Sequence, residues 1–536
     1  MSSAPPSSPP PLRPLVFTHR LKDEDIVIVI NFTFKGGVGK STIIHHLSSV
    51  LAHLTQQFSR NGKSHRVLII DLDAQANTSQ AHLEDDLHVV RKLQAELAAH
   101  NEAKAAGEVD YINHNPHHFP RIDGYDLPSD FAEYDSYTEP HKTNVHSIMS
   151  RLWHGDNLPL TEDGADIDIA KFSANLDIQR LNTHDEEQEV FLLSGNTQII
   201  EAEVEWDRNA ERRHETLRKF GGCRKIIKAV ARSIDARIVV IDVSPSFGNL
   251  NKLAVLSSDI VLPPVFADIS CCQTVQRLFG VLIPKWFLWR REYLEWENTQ
   301  QNHPHYKCFR FNRNLPQFFP LLVNNFKLDY TSSSASTPLG QQPLRIHSYE
   351  AAYINRMQMI MEGKIPPLIP PEVRAQFIAF GTPTRPQFIV PLIPEIGKLV
   401  RSSHRFYGSC VLYWERHHIK DDADIYGDDE LWHSIEKGRE TMEQLVRIIL
   451  SFSVKISERN RVVDTVIPDT LSLVSGTSAA SSEEEVEIEQ GIQFNALSPS
   501  PPLVIVAEDT DDEEWIMQRP KPKRQKTKTK DRFLFS

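Results

Sequence analysis

Residues 35–42 combine glycines with a lysine and a serine in an order suited to holding a phosphate group. They read Lys-Gly-Gly-Val-Gly-Lys-Ser-Thr. Glycines let backbone N–H groups close around phosphate oxygens, and the positive end of a following helix adds to the attraction. Lys40 would then reach the outer phosphates, and Ser41 would bind Mg²⁺. These residue types predict a site for a nucleoside triphosphate with magnesium.

The sequence around this loop predicts a strand before it and a helix after it. Residues 26–30 form an uninterrupted apolar run, which is typical of a buried parallel strand. After Ser41, apolar residues return at helical spacing. These residues are Ile43, Ile44, Leu47, Val50 and Leu51. A loop between a strand and a helix lies at the helix N-terminus, where an anion is favoured.

Two further apolar runs end in carboxylates. Residues 66–73 end in Asp71 and Asp73, and residues 238–242 end in Asp242. Each run is typical of a buried strand that delivers its aspartates at the carboxyl end. Taken singly, each aspartate could also be a helix cap or a turn residue. Three such segments in this order favour one site that joins phosphate, magnesium and carboxylates.

The segment that begins at Lys35 resembles the deviant phosphate-binding loop of the ParA/MinD/Soj family of ATPases. Phe34 stands where the ordinary phosphate loop has its first glycine, and the lysine after it is the one that distinguishes the family. Residues 71–77 and 238–246 resemble the two other segments of that family. Three positions differ from the family's usual sequence. Its proline, glycine and proline are replaced here by Ala74, Ala76 and Ser244, respectively.

The resemblance implies an α/β fold of the P-loop NTPase type, with a doubly wound, mostly parallel sheet flanked by helices, and it implies ATP and Mg²⁺ as ligands. It implies that Lys35 crosses a dimer interface to the partner's nucleotide and that Asp73 orients the attacking water. The implied catalytic residues are therefore Lys35, Lys40 and Asp73. The implied nucleotide-binding residues are Lys35, Gly36, Gly37, Val38, Gly39, Lys40, Ser41 and Thr42. The implied magnesium residues, direct or through water, are Ser41, Asp71 and Asp242.

Two downstream segments resemble strands that approach the base in this family. Residues 320–326 contain a pair of asparagines, and residues 388–395 end in Pro-Glu. The resemblance implies base contacts from Asn324, Asn325 and Pro394. A buried strand that ends in a turn would also explain each of these residues.

Composition divides the chain of 536 residues into three parts. Residues 1–20 are rich in Pro and Ser and predict a disordered head, whereas residues 456–536 are acidic and then basic and predict a disordered tail. Residues 21–455 predict one ParA-like domain, since 40% hydrophobic content can bury a sizeable core. The features expected inside this domain are insertions at about 80–189 and 290–387 and a closing helix over 436–453.

The partners of the chain are harder to infer from charge. A formal net charge of −12 argues against a chain built uniformly for nucleic acid. The resemblance still implies nonspecific DNA binding by ATP-bound dimers, and residues 285–291 with four nearby arginines could form a basic surface. Alternatively, Trp286, Phe287 and Trp289 are core residues of an ordinary helix. The four arginines are Arg310, Arg313, Arg401 and Arg405.

The tail and the termini suggest where the chain acts. Residues 503–506, followed by acids, resemble a SUMO-interacting motif, and residues 519–530 are basic enough for nuclear import. No run of about 18 apolar residues occurs, and the N-terminus lacks the apolar stretch of a secretory signal. Five scattered cysteines without a Cys-x-x-Cys pair suit a reducing compartment and no metal cluster. We expect a eukaryotic, cytoplasmic or nuclear protein without a transmembrane segment.

Three functions remain open from the sequence. The first is a switch that dimerises with ATP and separates after hydrolysis. The second is an interaction protein that keeps the nucleotide as a structural element and hydrolyses little. The third is a membrane-surface switch of the MinD kind, for which the basic and apolar residues 530–536 are too few for firm anchoring.

Overall fold

A computed structural model describes the central part of the chain. The described residues are 26–58, 65–79, 158–173, 178–181, 189–195, 216–328, 346–382, 385–395 and 429–465, with single positions between 145 and 199 and at 412. The predicted head, the SUMO-like and basic segments of the tail, and Arg401 and Arg405 lie outside them. Within the described residues, none of the helices has the length and apolar character that crossing a membrane requires.

A seven-stranded sheet forms the centre of the molecule, in the order β3-β4-β2-β5-β1-β6-β8. All neighbours in it are parallel except β3, which runs antiparallel to β4. This is the mostly parallel sheet that the loop and carboxylate strands predicted. The strands are β1 Val27–Asn31, β2 Arg66–Leu72, β3 Ile178–Arg180, β4 Val190–Leu193, β5 Ala236–Val243, β6 Ile260–Leu262, β7 Pro264–Val265, β8 Gln317–Phe318, β9 Leu321–Phe326, β10 Phe380–Thr382, β11 Arg385–Gln387 and β12 Ile389–Pro394.

A smaller parallel sheet, β12-β9-β7, continues the large one past a break at prolines. The apolar run from Asp259 to Val265 is divided at Pro263 into β6 and β7. Backbone bonds still cross the break, because Phe319 N donates to Val261 O at 3.0 Å and Leu322 N donates to Pro263 O at 2.9 Å. Proline has no N–H to donate, so a regular ladder cannot pass through it.

Helices cover both faces of the sheet. They are α1 Lys40–Phe58, α2 Ile169–Ser173, α3 Thr216–Ser233, α4 Asn249–Ser257, α5 Ile269–Arg277, α6 Ile283–Asn298, α7 Ser348–Met359, α8 Pro371–Arg374 and α9 Asp429–Thr465. Val27 and Val29 of β1 pack in a cluster with side chains of α1 and α9. Ile28 and Ile30 face the other way, into a cluster with α3 and α4. Burial on both faces explains why this strand is apolar without alternation.

Part of the predicted insertion at 80–189 belongs to the core. Residues 178–180 form the edge strand β3, and Ile167 and Phe172 are buried in the same cluster as the central strands. Asp166 accepts hydrogen bonds from Arg232 of α3 at 2.8 and 3.0 Å, and the ammonium of Lys225 lies 2.8 Å from it. Despite its burial, these partners hold the pKa of Asp166 below its ordinary value. The described residues 158–173 are therefore tied to α3 through Asp166, and residues 178–180 are paired with β4.

The closing helix is longer than the sequence predicted. α9 begins at Asp429 and ends at Thr465, whereas the periodicity indicated 436–453. It thus passes residue 455, where the disordered tail was expected to begin. Met442, Leu445 and Ile449 are buried against the face that α1 also covers.

The basic surface suggested around residues 285–291 is divided in the structure, since Lys285, Arg291 and Arg310 are exposed whereas other members are packed. Trp286 and Phe287 are buried, which agrees with the core alternative. Arg290 is buried and donates to the Asn312 carbonyl at 2.7 Å. Arg313 is paired with the buried Glu297 at 2.7 Å. Of the basic-surface alternative, Arg290 and Arg313 are therefore not available as free surface charges, because contacts with Asn312 O and Glu297 hold them.

Candidate functional site

The loop after β1 adopts a conformation that requires glycine at two positions. Gly37 has φ of +73° and Gly39 has φ of +78°, a region that residues with a side chain rarely adopt. A Cβ at Gly39 would also lie 1.9 Å from Asn324 Nδ2, whereas a Cβ at Gly37 would meet nothing within 4 Å. Gly36 and Gly37 are exposed, and Val38 anchors the loop in the core. The loop is open to a ligand on one side and packed on the other.

Helix α1 starts directly from this loop. Ile43 N donates to Gly39 O at 2.9 Å, which forms the first helical turn. Asn31 Nδ2, at the end of β1, donates to the Lys40 carbonyl at 2.7 Å and ties the strand end to the helix start. The N-terminus of α1, a 19-residue helix, therefore lies at the glycines. Such a terminus attracts anions.

Lys40 is a buried cation without a counter-ion in the described part of the chain. Only 7% of the residue is exposed, and no carboxylate of the described residues lies within ion-pair distance of its ammonium. Burial lowers the pKa of Lys40, although the charges of Asp242 and Asp73 act in the opposite direction. A desolvated ammonium beside open N–H groups fits a phosphate ligand, since an anion there would offset the cost of burial.

Asp242 lies at the end of β5 and receives two hydroxyl groups. Ser41 Oγ and Thr78 Oγ1 each donate to the same oxygen, Oδ2, at 2.6 Å, and Val243 N donates to Oδ1 at 3.0 Å. Burial raises the pKa of Asp242, and the charge of Asp73 adds to this, while the two hydroxyl donors lower it. The structure thus brings together the predicted magnesium residues Ser41 and Asp242.

The donor set around Ser41 suits Mg²⁺. A hydroxyl and a carboxylate oxygen are hard ligands, and this ion keeps much of its shell as water and phosphate oxygen. Among the described residues there is no group of three or more His, Cys, Asp or Glu side chains that could hold a metal ion. An ion here would therefore depend on a phosphate ligand for part of its coordination.

Asp71 braces the turn that follows β2. It is fully buried, its Oδ1 accepts from Asp73 N at 3.0 Å, and its Oδ2 accepts from the amide and hydroxyl of Ser79 at 2.8 and 2.7 Å. Burial and the charge of Asp242 raise the pKa of Asp71 to about 8, while the donors of Ser79 lower it. A place near magnesium remains a prediction for this residue, whose visible role is to hold the turn.

Asp73 lies on that turn beside the loop. It is 3% exposed, and its two oxygens accept from Gln75 N at 3.1 Å and from Asn77 Nδ2 at 3.3 Å. Ala76, in the same turn, has φ of +50° at the position where the family has glycine. The turn therefore keeps its left-handed conformation although the glycine is replaced.

The three predicted base-side residues are placed differently from one another. Asn324 is buried, and its Nδ2 lies 3.4 Å from the carbonyl of Val38 in the loop. Asn325 is exposed with φ of +56°. Pro394 is buried against α9, since a Cβ on Gly438 would lie 3.3 Å from its ring. The structure brings Asn324 to the loop, and base contacts by all three remain predictions.

Several residues of this site were not identified from the sequence. Asn31, Thr78 and Ser79 hold the loop and the carboxylates through contacts already described, and Asp268 pairs with Lys35 at 2.5 Å. Thr78 and Ser79 directly follow the Asp71 segment, so hydroxyls one turn after paired aspartates were an available signal. Asp268 has no local signal, because it lies 233 residues from Lys35.

Comparison with known proteins supports a phosphate-binding domain in this segment. Residues 25–116 match the family described as an AAA domain. The match extends past residue 80, where the insertion was expected to begin. A "Putative replication protein A" of Sinorhizobium fredii is 30% identical over 130 residues, which are 24% of this chain and 29% of that protein. The chain thus spans less than a third of the length of this curated relative.

Solved structures resemble the chain only weakly. The McdA–ATP complex from Cyanothece is 12% identical with a TM-score of 0.37, over 78% of this chain and 96% of that chain. A pNOB8 ParA structure bound to nonspecific DNA is 11% identical with a TM-score of 0.32, over 65% and 80%. The assignment therefore rests on the matched segment and on the geometry of the loop, the parallel sheet and the two aspartate strands. Together these assign a P-loop fold to the part of the chain that contains residues 25–116 and support its resemblance to ParA-like proteins.

Proposed function

We propose that the chain binds Mg-ATP at residues 35–42 and hydrolyses it, and that the nucleotide controls the association of two copies of the chain. The observation that carries the proposal is the buried ammonium of Lys40, which has no carboxylate partner among the described residues and lies beside two left-handed glycines. A triphosphate would supply the missing anion. The N-terminus of α1 and the loop amides would share the remaining charge.

The roles follow from the positions of the side chains. Lys40 would neutralise the outer phosphates, and Ser41 with Asp242 would hold Mg²⁺, which would neutralise further phosphate charge. Thr78 would keep the Asp242 carboxylate oriented through its hydrogen bond. Asp73 would position the attacking water, and it would have to release Asn77 or Gln75 to do so.

Calorimetry with Mg-ATP tests the binding step. We expect heat of association for the wild type and a loss of affinity on the order of 100-fold or more for Lys40→Ala, because a buried charge-assisted contact is removed. Lys171→Ala is the matched control, since the Lys171 side chain is 72% exposed and pairs with Asp168 in the described part of the chain. Equal affinity in the wild type and Lys40→Ala would refute the assigned site.

Phosphate release and light scattering test hydrolysis and association. Asp73→Ala should bind Mg-ATP, release phosphate far more slowly and remain associated, whereas Lys35→Ala should bind but not associate. A Lys35→Ala protein that still forms ATP-dependent dimers would contradict the role of Lys35 in the partner's site. Adding nonspecific DNA to the same samples tests the predicted DNA partner.

A second function is favoured by the state of Asp73. Both of its carboxylate oxygens are engaged within its own turn, at 3.1 and 3.3 Å. If this turn does not open, the chain would hold nucleotide without cleaving it and act as an interaction protein. Phosphate release separates the two functions, because wild type and Asp73→Ala would then show the same low rate while both still bind Mg-ATP.

A further inference from the structure

Lys35, the lysine before the first glycine of the loop, is held by its own subunit. Its Nζ lies 2.5 Å from Asp268 Oδ2 and 3.5 Å from Cys271 Sγ. It also lies 5.9 Å from the centre of the Phe266 ring. These three neighbours belong to one short segment, the end of β7 and the start of α5. The side chain therefore points across the surface of its own chain.

Asp268 is fixed in place independently of the lysine. It is the N-cap of α5, and its Oδ1 accepts from Cys271 N at 2.6 Å. The cap leaves Oδ2 directed at Lys35. Although partial burial opposes this, the hydrogen bonds from Lys35 and the Cys271 amide hold the pKa of Asp268 below its ordinary value. Burial lowers the pKa of Lys35, but the contacts with Asp268 and Cys271 outweigh it and raise that pKa.

The surface beside this ion pair is apolar and exposed. Phe247 is 57% exposed and lies with its ring centre 4.6 Å from that of Phe34, the residue before the lysine. Ile269, the residue after Asp268, is 44% exposed. Both exposed apolar side chains thus belong to the surroundings of the pair, since Phe247 packs on the residue before Lys35 and Ile269 follows Asp268.

We infer that Asp268 is a positioning residue that decides when Lys35 can leave its own subunit for the nucleotide of a partner copy. The inference rests on the proposed function, in which Lys35 acts across a dimer interface. The Lys35 ammonium lies against its own chain at Asp268 Oδ2, and we take it to leave that carboxylate in order to reach a phosphate bound to a partner copy. Each subunit must therefore break its Lys35–Asp268 ion pair before the dimer forms. At low nucleotide concentration, this ion pair opposes dimerisation.

Asp268→Asn tests this inference because it removes the charge and keeps the cap. Asparagine is as good an N-cap as aspartate, so α5 should remain formed. We expect the protein concentration for half-maximal dimerisation in Mg-ATP to fall about tenfold, since two partly exposed ion pairs no longer need to open. ATP affinity measured at protein concentrations below dimerisation should not change. Asp268→Ser, which also caps without charge, should behave in the same way.

A matched control is available at another helix N-terminus. Asp168 caps α2 through Lys171 N and pairs with the Lys171 ammonium at 3.1 Å, so Asp168→Asn removes the same kind of contact away from the loop. It should leave dimerisation unchanged. Without nucleotide, acylation of Lys35 followed by mass spectrometry should be several times faster in Asp268→Asn than in the wild type. A merely structural role for Asp268 would not change this rate selectively.

The outcomes separate the inference from the proposed function. If the wild type does not associate in Mg-ATP, or if Lys35→Ala associates normally, the proposed function fails and the inference fails with it. Suppose instead that the wild type associates and Lys35→Ala does not. If Asp268→Asn then needs the same or a higher protein concentration for half-maximal dimerisation, the inference alone is overturned. The double variant Lys35→Ala with Asp268→Asn should not associate, because the gain depends on the lysine.

Discussion

Of the single methyl groups that could be added to the loop glycines, the one added by Gly39→Ala should destabilise the folded chain most. Two costs combine at this position. A left-handed φ costs a residue with a side chain about 1–2 kcal/mol, and Gly39 has φ of +78°. The added Cβ would also lie 1.9 Å from Asn324 Nδ2 and 3.2 Å from Asn324 Cγ. Overlaps of this kind typically cost about 1–3 kcal/mol.

The collision should not be relieved by a simple side-chain rotation. Turning the Asn324 amide about its last torsion exchanges Nδ2 for Oδ1 and leaves an atom in the same place. Asn324 is 4% exposed between buried neighbours on β9, so a larger movement disturbs the core. We therefore expect Gly39→Ala to lower the free energy of unfolding by about 2–5 kcal/mol, as the sum of the two costs.

Gly37→Ala isolates the first cost, because Gly37 has φ of +73° and a Cβ there would meet nothing within 4 Å. Urea unfolding of both variants should show Gly37→Ala destabilised by only about 1–2 kcal/mol. Adding Asn324→Ala to Gly39→Ala should recover the difference, giving a coupling energy of at least about 1 kcal/mol. Equal losses in Gly37→Ala and Gly39→Ala, or additivity with Asn324→Ala, would refute the packing argument.

Two further predictions test the packing of the core and the ionisation of the site. Gly221→Ala should destabilise the chain by about 1–3 kcal/mol in thermal unfolding, since its Cβ would collide with the Phe309 carbonyl. Gly363→Ala, where a Cβ would meet nothing within 4 Å, is the control and should be neutral or better. Burial raises the pKa of Asp242, so in the nucleotide-free chain this carboxyl keeps its proton to a higher pH than an aspartate of the unfolded chain. The contribution of Asp242 to the free energy of unfolding therefore falls as the pH rises. Mg²⁺ needs the carboxylate, so Mg-ATP binding should release protons and tighten with pH by up to about tenfold per unit. Calorimetry in two buffers of different ionisation enthalpy measures this, and Asp242→Asn should release fewer protons.

Short-range signals accounted for the phosphate loop and the elements around it. The glycines of residues 36–39 and the apolar periodicity after Ser41 predicted a strand, a loop and a helix, and these are β1, the left-handed turn and α1. The carboxylate strands at residues 66–73 and 238–242 were also located closely. The sequence predicts these features because residues close together in the chain determine the backbone conformation and the pattern of burial there.

Other boundaries were misjudged where packing overrides composition. The segment before β4 has the polar composition of an insertion, yet residues 178–180 complete the sheet edge and Asp166 pairs with Arg232 of α3. The sequence suggested Arg290 and Arg313 as surface charges. In the structure, Arg290 donates a hydrogen bond to the Asn312 carbonyl, and Arg313 forms an ion pair with the buried Glu297. Composition reports average exposure, so it cannot identify a charged side chain whose partner comes from another element.

The sequence by itself determined that a glycine loop with Lys40 and Ser41 opens a helix after a buried strand, because those glycines and that periodicity act locally. Only the tertiary structure decided which distant groups meet there. Ser41 reaches Asp242 across 201 residues, and Lys35 reaches Asp268 across 233. Both contacts depend on the order of the strands, which places β5 and β6 on either side of β1. That order arises from the packing of the whole sheet, so no local pattern encodes it.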